Sequence, residues 1–330
     1  MPSVDRKNPK RAKSSESSYS LMEFNRLYPD DDACMAFLWR TRYSEDGEHA
    51  ICPECKMVRT FKHYKTAEKR NAWTCVGCGH HLHPTAGTIF HKSATSLHLW
   101  FYAMYVMTST RCGISAKQLE RELGVTYKTA WRMFTLIRNQ LMVQTDESLT
   151  GKVEMDEMYV GGKPRQSDAN AWANLPLSEK RTAAKKWADQ HRTPVFGMVE
   201  RHGKVAAHVV PSTQGATLMR HVNARVLPAA VIYTDSAQVY RTPLRQAGYQ
   251  HKRVHHEARV YVGGDAHTQT IEGFWSLVKR GIGGTHHPAS AKYLQGYLNE
   301  YAWRYNHRHD LRSQFETLLL RSANRPDLGS

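Results

Sequence analysis

The chain has 330 residues, enough for a full core and more than one domain, and its 41% hydrophobic content is that of a globular protein. Its 46 Lys and Arg against 30 Asp and Glu leave +16 at neutral pH, which predicts a polyanionic partner, nucleic acid above all. The polar, basic start MPSVDRKNPKRAKSSESS holds no secretory signal, and the longest apolar run, residues 99–107, is too short to span a bilayer, so no membrane role and a cytoplasmic location are expected.

In chain order, residues 1–18 read as a disordered basic tail. Residues 19–49 carry apolar side chains at helical spacing (Leu21, Phe24, Leu27, then Met35, Leu38, Trp39), interrupted by Pro29. Residues 50–92 contain two Cys-x-x-Cys pairs, Cys52/Cys55 and Cys75/Cys78, with nineteen residues between them. Each pair folds two thiolates onto one side of a tight knuckle, with Gly77 and Gly79 supplying permissive backbone in the second. Two facing knuckles make a tetrahedral four-sulfur site, so one structural zinc ion in a zinc ribbon is predicted. His80, His81 and His83 are expected to meet solvent or phosphate, and Cys34 and Cys112 to be ordinary buried cysteines.

Residues 93–148 read as helices, punctuated by Gly113 and Gly124. Ser115-Ala-Lys-Gln118 has the pattern of a capping box, Gly124 closes that helix, and Thr126 can cap the next. Ala130, Phe134, Ile137 and Leu141 give the second helix a core-facing stripe. Tyr127, Lys128, Thr129 and Arg132 then fall at its N-terminal end, where a helix-turn-helix module contacts DNA.

From residue 149 the texture changes. Runs 153–160, 194–200, 204–210 and 230–234 are β-rich, and 217–226, 270–281 and 290–305 are helical. Three strands in succession followed by alternation with helices predict a mixed α/β sheet in a multi-domain α+β chain. The domain is expected to span 149–310, with a charged, Ala-rich insertion at 165–192 and a C-terminal tail at 311–330.

Three acids stand at the edges of this pattern. Asp156 lies within the first strand run on the same face as Glu154, with Glu157 on the other. Asp235 ends the fourth strand, and Glu272 opens a helix whose apolar face is Ile271, Trp275, Val278 and Ile282. Phosphodiester cleavage must activate a water or 3′-hydroxyl and stabilise the leaving oxygen. Two divalent cations about 3.5–4 Å apart do both, and they need hard oxygen ligands. The three acids are therefore expected to hold two magnesium ions (or manganese). Lys279, two helical turns beyond Glu272 and followed by Arg280, is expected to hold a DNA phosphate. Asp265, in Gly-Gly-Asp265-Ala-His267, is the rival ligand, though a turn role fits it better.

At these residues the chain resembles the DDE transposases of bacterial insertion sequences, specifically the ISXO-type group (insertion-sequence family fifteen-ninety-five). The resemblance runs from about residue 20 to 310. It rests on the cysteine ribbon, GTIF at 87–90, GISAKQLERELGVTYKTAW at 113–131, VEMDEMYVGGK at 153–163 and HTQTIEGFWSLVKRGIGGTHH at 267–287. It implies an RNase H-like catalytic domain with Asp156 and Asp235 as first and second catalytic acids. Glu272, with thirty-six residues between it and Asp235, matches the third. It also implies binding of terminal inverted repeats, strand cleavage, strand transfer to target DNA by 3′-hydroxyl attack, assembly as a dimer or larger, and a place with the nucleoid. Gln269 departs from the Asn common there, which leaves open how that helix start is fixed. A DNA-binding regulator that has lost catalysis, or an RNase H-like nuclease, would use the same residues differently.

Overall fold

The computed structural model describes residues 19–65, 71–110, 112–144, 148–162, 164–235, 238–253, 267–286 and 289–323. The tail expected at 1–18 and Asp265 lie outside them. The chain forms two compact units, one of residues 1–141 with 307–330 and one of 142–306.

The first unit opens with helices α1 (Leu21–Leu27) and α2 (Asp31–Arg42), separated by Pro29 as its missing N–H dictates. Ser20 and Asp30 cap them by accepting from the backbone of Glu23 and Ala33. Strands β1 (His49–Ile51), β2 (Val58–Lys65), β3 (Asn71–Cys75) and β4 (His81–Leu82) form an antiparallel sheet in sequential order. Trp39 of α2 anchors it, lying parallel to Trp73 with 4.8 Å between ring centroids. Helices α3 (Leu97–Ser109), α4 (Ala116–Leu123) and α5 (Tyr127–Leu136) follow, and a π turn at Ile137–Leu141 ends the segment. Asp31 accepts from the Ser96 hydroxyl and the His98 backbone and so ties the start of α3 to α2.

Two sequence expectations fail in this unit. Cys112 is exposed rather than buried, because it sits in the turn between α3 and α4 beside Gly113, whose φ is +81°. Residues 311–330 are not simply a tail. They contain a helix, Gln314–Ala323, that buries Phe315, Leu318, Leu319 and Ala323, with Phe315 packed against Tyr19, Phe24 and Tyr105. Ser313 and Glu316 close a reciprocal capping box at its start.

The second unit is a five-stranded mixed sheet: β5 (Lys152–Gly161), β6 (Arg192–Glu200), β7 (Val205–Val209), β8 (Val231–Thr234) and β9 (Gln250–Arg253), in the order β7-β6-β5-β8-β9. β5, β6 and β7 pair antiparallel, and β8 and β9 run parallel to β5. The unit starts before residue 149, since Gln144 pairs its side-chain amide with both backbone groups of Ala207 on β7. Residues 165–192, expected as an insertion, link β5 to β6 as helices α6 (Gln166–Trp172) and α7 (Leu177–His191).

Strand alternation divides the core. Val153 and Met155 face α8 (Gly215–Arg225) and α9 (Arg241–Gln246), joining Leu218, Val222 and Leu244. Met158 faces α10 (Gln269–Gly284) and α11 (Ala291–Asn306), joining Ile271, Phe274, Trp275, Val278, Leu294 and Leu298. Gly281 permits the close approach of these two helices, since a Cβ there would lie 1.6 Å from the Tyr301 hydroxyl. The open edge of β7 is covered by side-chain amides: Asn306 pairs with both backbone groups of Val205, and Gln295 accepts from Val209. Among the described residues, no helix is long and apolar enough to cross a membrane.

Candidate active site and metal centre

The four cysteines converge. All four sulfurs lie within 4.8 Å of one another, with Cys52 Sγ 3.6 Å from Cys78 Sγ and Cys55 Sγ 4.0 Å from Cys75 Sγ. A tetrahedral site with metal–sulfur bonds of about 2.3 Å has edges of about 3.8 Å, so the cluster fits a metal ion. The knuckle turns need left-handed backbone at Lys56 (φ +55°) and Gly79 (φ +77°), whereas Gly77 does not take it. His80, His81 and His83 lie outside the four-sulfur group.

The helix pair α4–α5 follows its sequence signals closely. Ser115 caps α4, Gly124 ends it in the left-handed region (φ +62°), and Thr126 caps α5. The capping box is only half formed: the Gln118 N–H reaches Ser115, but its side chain donates to Glu122. Ala130, Phe134, Ile137 and Leu141 are buried. At the start of α5, Tyr127, Lys128 and Arg132 are exposed and Thr129 is half-buried. The Lys117 ammonium sits over the Tyr127 ring, 5.6 Å from its centroid.

In the second unit, sheet register governs the acids. Glu154 pairs with Tyr233 across parallel strands β5 and β8. Asp156 lies two residues beyond Glu154 on β5, and Asp235 two beyond Tyr233, just past the end of β8. Glu272, in the first turn of α10, is held by the Thr268 hydroxyl, which donates to its Oε1 at 3.0 Å.

The electrostatics relate the three acids. Partial burial pushes the Asp156 carboxyl up to about 6, and the negative charges of Asp235 and Glu272 add to the shift. The Glu157 N–H and the Trp275 indole oppose it, the latter donating to Asp156 Oδ2 at 3.1 Å. Glu157 is pushed up to about 7, again by burial first, with the charges of Asp156 and Asp235 contributing, while the Tyr240 hydroxyl donates to it. These carboxylate oxygens are the hard donors a divalent cation takes. They are set wider than the thiols: among the described residues, only the cysteines bring three or more donors within 4.8 Å. Lys279 and Arg280 are exposed on α10.

Sequence reasoning missed four features that shape this site. Glu154 is fully buried and accepts from the backbone N–H groups of Thr270 and Ile271 at 2.8 and 3.0 Å. It pairs with Arg201, whose Nε lies 2.6 Å from Glu154 Oε1. Removing one partner of such a buried pair costs about 3–5 kcal/mol. Trp275 reaches Asp156 because Gly197, opposite Asp156 on β6, leaves room for the indole. Tyr240, in the 3-10 turn before α9, engages Glu157 from the other face of the sheet. Only a glycine amid the apolar β6 run hinted at any of these.

These features define a class: an α/β domain with one acid within a central strand, a second just past the end of the neighbouring parallel strand and a third on a helix packed against the sheet, joined to a helical unit bearing a four-cysteine cluster. A protein of Halobacterium salinarum, "Uncharacterized protein in transposable element ISH50", is 30% identical over 259 residues, covering 77% of this chain and 84% of that protein. An "Uncharacterized transposase-like protein" of Haemophilus influenzae is 29% identical over 115 residues, covering 35% of this chain and 90% of that protein. The solved structure "Crystal structure of a pre-cleavage Mos1 transpososome" matches at 12% identity and a TM-score of 0.24, over 63% of this chain and 74% of that one. The ISXO2-like transposase domain matches residues 148–306. The chain belongs to the ISXO2-like transposase family.

Proposed function

We propose that this chain is the transposase of an insertion sequence, binding the element's terminal inverted repeats and carrying out metal-dependent strand cleavage and strand transfer by 3′-hydroxyl attack on target DNA. The second unit is read as an RNase H-like catalytic domain. The observation that carries the reading is the placement of Asp156 on β5, beside the parallel strand β8 that leads into Asp235, with Trp275 of the helix that carries Glu272 donating to it.

These carboxylates would hold two magnesium ions, or manganese. When bound, such a pair activates the attacking hydroxyl and stabilises the leaving oxygen. Trp275 orients the Asp156 carboxylate by donating to one oxygen, and Thr268 does the same for Glu272. Lys279 and Arg280, exposed on the helix that carries Glu272, would hold a DNA phosphate and so align the scissile strand. End recognition falls to the first unit. Tyr127, Lys128, Thr129 and Arg132 would meet DNA from the start of α5, with the four-cysteine module closed by one structural zinc ion. Since two element ends must be joined in one event, the working form would be a dimer or larger.

A strand-transfer assay with the element's own ends and magnesium tests this. Wild type should nick the ends and join them to target DNA, while Asp156→Asn and Glu272→Gln should bind the ends and lose both steps. The proposal fails if wild type does no magnesium-dependent joining, or if Glu272→Gln joins at the wild-type rate.

A further inference from the structure

We propose that Glu154, together with Arg201, is the positioning device of the acidic site, setting the spacing of Asp156, Asp235 and Glu272 without touching substrate. This inference rests on the catalytic reading above.

The start of α10 is not capped from its own sequence. The N-cap residue Thr268 makes no side-chain cap: its backbone (φ −122°, ψ 22°) is outside the extended region an N-cap takes, and its hydroxyl donates to Glu272. The first four N–H groups of a helix have no partner within it. Here two are satisfied from another element, since Glu154 Oε2 takes the N–H groups of Thr270 and Ile271. Glu154 Oε1 takes the Thr270 hydroxyl at 3.0 Å. A buried carboxylate at a helix N-terminus also complements the helix dipole.

Arg201 extends the clamp. Its Nε donates to Glu154 Oε1, and a terminal guanidinium nitrogen donates to the His267 carbonyl at 2.7 Å, fixing the chain just before the helix. Its guanidinium carbon stands 4.1 Å from the centroid of the Tyr233 ring. The ion pair therefore engages three positions with one property in common. Glu154 lies two residues before Asp156, Tyr233 two before Asp235, and Thr270 two before Glu272. In a strand that spacing shares a face, and in a helix it lies within one turn. One buried pair thus ties together the flanks of all three acids. This also answers how a helix that begins with Gln269 is fixed: Glu154 on β5 supplies the cap.

Glu154→Gln tests the device, because the amide keeps the shape but turns a donor toward Arg201 or Thr270. Three quantities are measured on the full chain. They are hydrogen exchange at the first-turn amides of α10, Mn2+ binding by electron paramagnetic resonance, and end cleavage at saturating end DNA. First-turn exchange should accelerate about 10-fold or more, and Mn2+ affinity should fall about 10–100-fold, as for groups that orient metal ligands. Cleavage should fall by about 100-fold, partly restored by excess Mg2+, while end-DNA binding stays within about 3-fold of wild type. Thr270→Val, which removes only the hydroxyl bond, should shift all three in the same direction by a few-fold. It decides the matter should Glu154→Gln not fold. Wild-type exchange and Mn2+ affinity in the folded variant overturn the proposal, as does cleavage that falls only in step with end binding. If wild type itself cleaves nothing, the catalytic reading falls, while exchange at α10 still judges Glu154.

Discussion

Gly197→Ala is the smallest change expected to disturb the acidic site from a distance. A Cβ at position 197 would lie 2.4 and 2.7 Å from two carbons of the Trp275 indole and 3.0 Å from Ile271 Cδ1. Ordinary carbon contacts are about 3.5–4.0 Å, so the ring must retreat by roughly 1 Å or more. The indole is rigid and buried, so it cannot yield as the tip of a flexible chain would; it must rotate, or α10 must move with it. Either path breaks the Trp275–Asp156 hydrogen bond, and the second also carries Glu272 away from the sheet. Overpacking of this kind costs about 1–3 kcal/mol, or roughly 2–4 °C of Tm per kcal/mol in a unit of this size. A displacement of about 1 Å at a reacting centre can cost on the order of 100-fold in rate. Calorimetry and the end-cleavage assay on Gly197→Ala, Trp275→Phe and the double variant check both. Phe lacks the outer indole ring, so the double variant should recover stability relative to Gly197→Ala alone, a coupling typical of residues in contact. Unchanged Tm and rate in Gly197→Ala, or strictly additive losses in the double variant, would refute this account.

The parts of the molecule that were legible in sequence carry a local pattern. The expected strands at 153–160, 194–200, 204–210 and 230–234 correspond to β5 through β8, because alternation and β-branched runs mark a half-buried or buried strand directly. The α4–α5 pair was legible through Ser115, Gly124 and Thr126, each performing the local job its chemistry suggests. β9 was not, since Gln-His-Lys-Arg has no apolar face, and only pairing with β8 makes it a strand. The closing helix was missed despite its Ser313–Glu316 capping signal, because its buried face is matched by aromatic residues near the opposite end of the chain. For Asp156, Asp235 and Glu272, residue type and spacing pointed to a shared site, and the pairing of Glu154 with Tyr233 puts Asp156 and Asp235 two residues further along neighbouring chain segments. What positions them was illegible: Glu154, Arg201, Gly197 and Trp275 act across elements, and no local rule reports such contacts. Cys112 shows the converse, a lone residue assigned by its average behaviour and decided instead by the turn it occupies.

Two further expectations concern the rest of the chain. Wild type should carry one zinc ion per chain by elemental analysis, and Cys75→Ser should lose it along with the β1–β4 sheet signal and end binding; a metal-free variant with an intact sheet would show that the cluster needs no ion. The other concerns acid stability. His208 on β7 lies against His221 of α8, 4.7 Å between ring centroids, and its Nε2 is buried without a hydrogen-bond partner among the described residues. Burial lowers its pKa to about 4, and the nearby His221 and Arg225 contribute. The folded chain therefore keeps this ring neutral, while the unfolded chain protonates it near 6.5. Its contribution to stability is complete above about pH 6.5 and is lost as pH falls toward 4. The loss amounts to about 3 kcal/mol, because a tenfold difference in proton affinity between folded and unfolded chain is worth about 1.4 kcal/mol. His208→Phe keeps an aromatic ring against His221 and removes the titration. Denaturant unfolding across that window should therefore show a flatter acid limb for the variant, and an identical slope in both proteins would mean that another group takes up the proton.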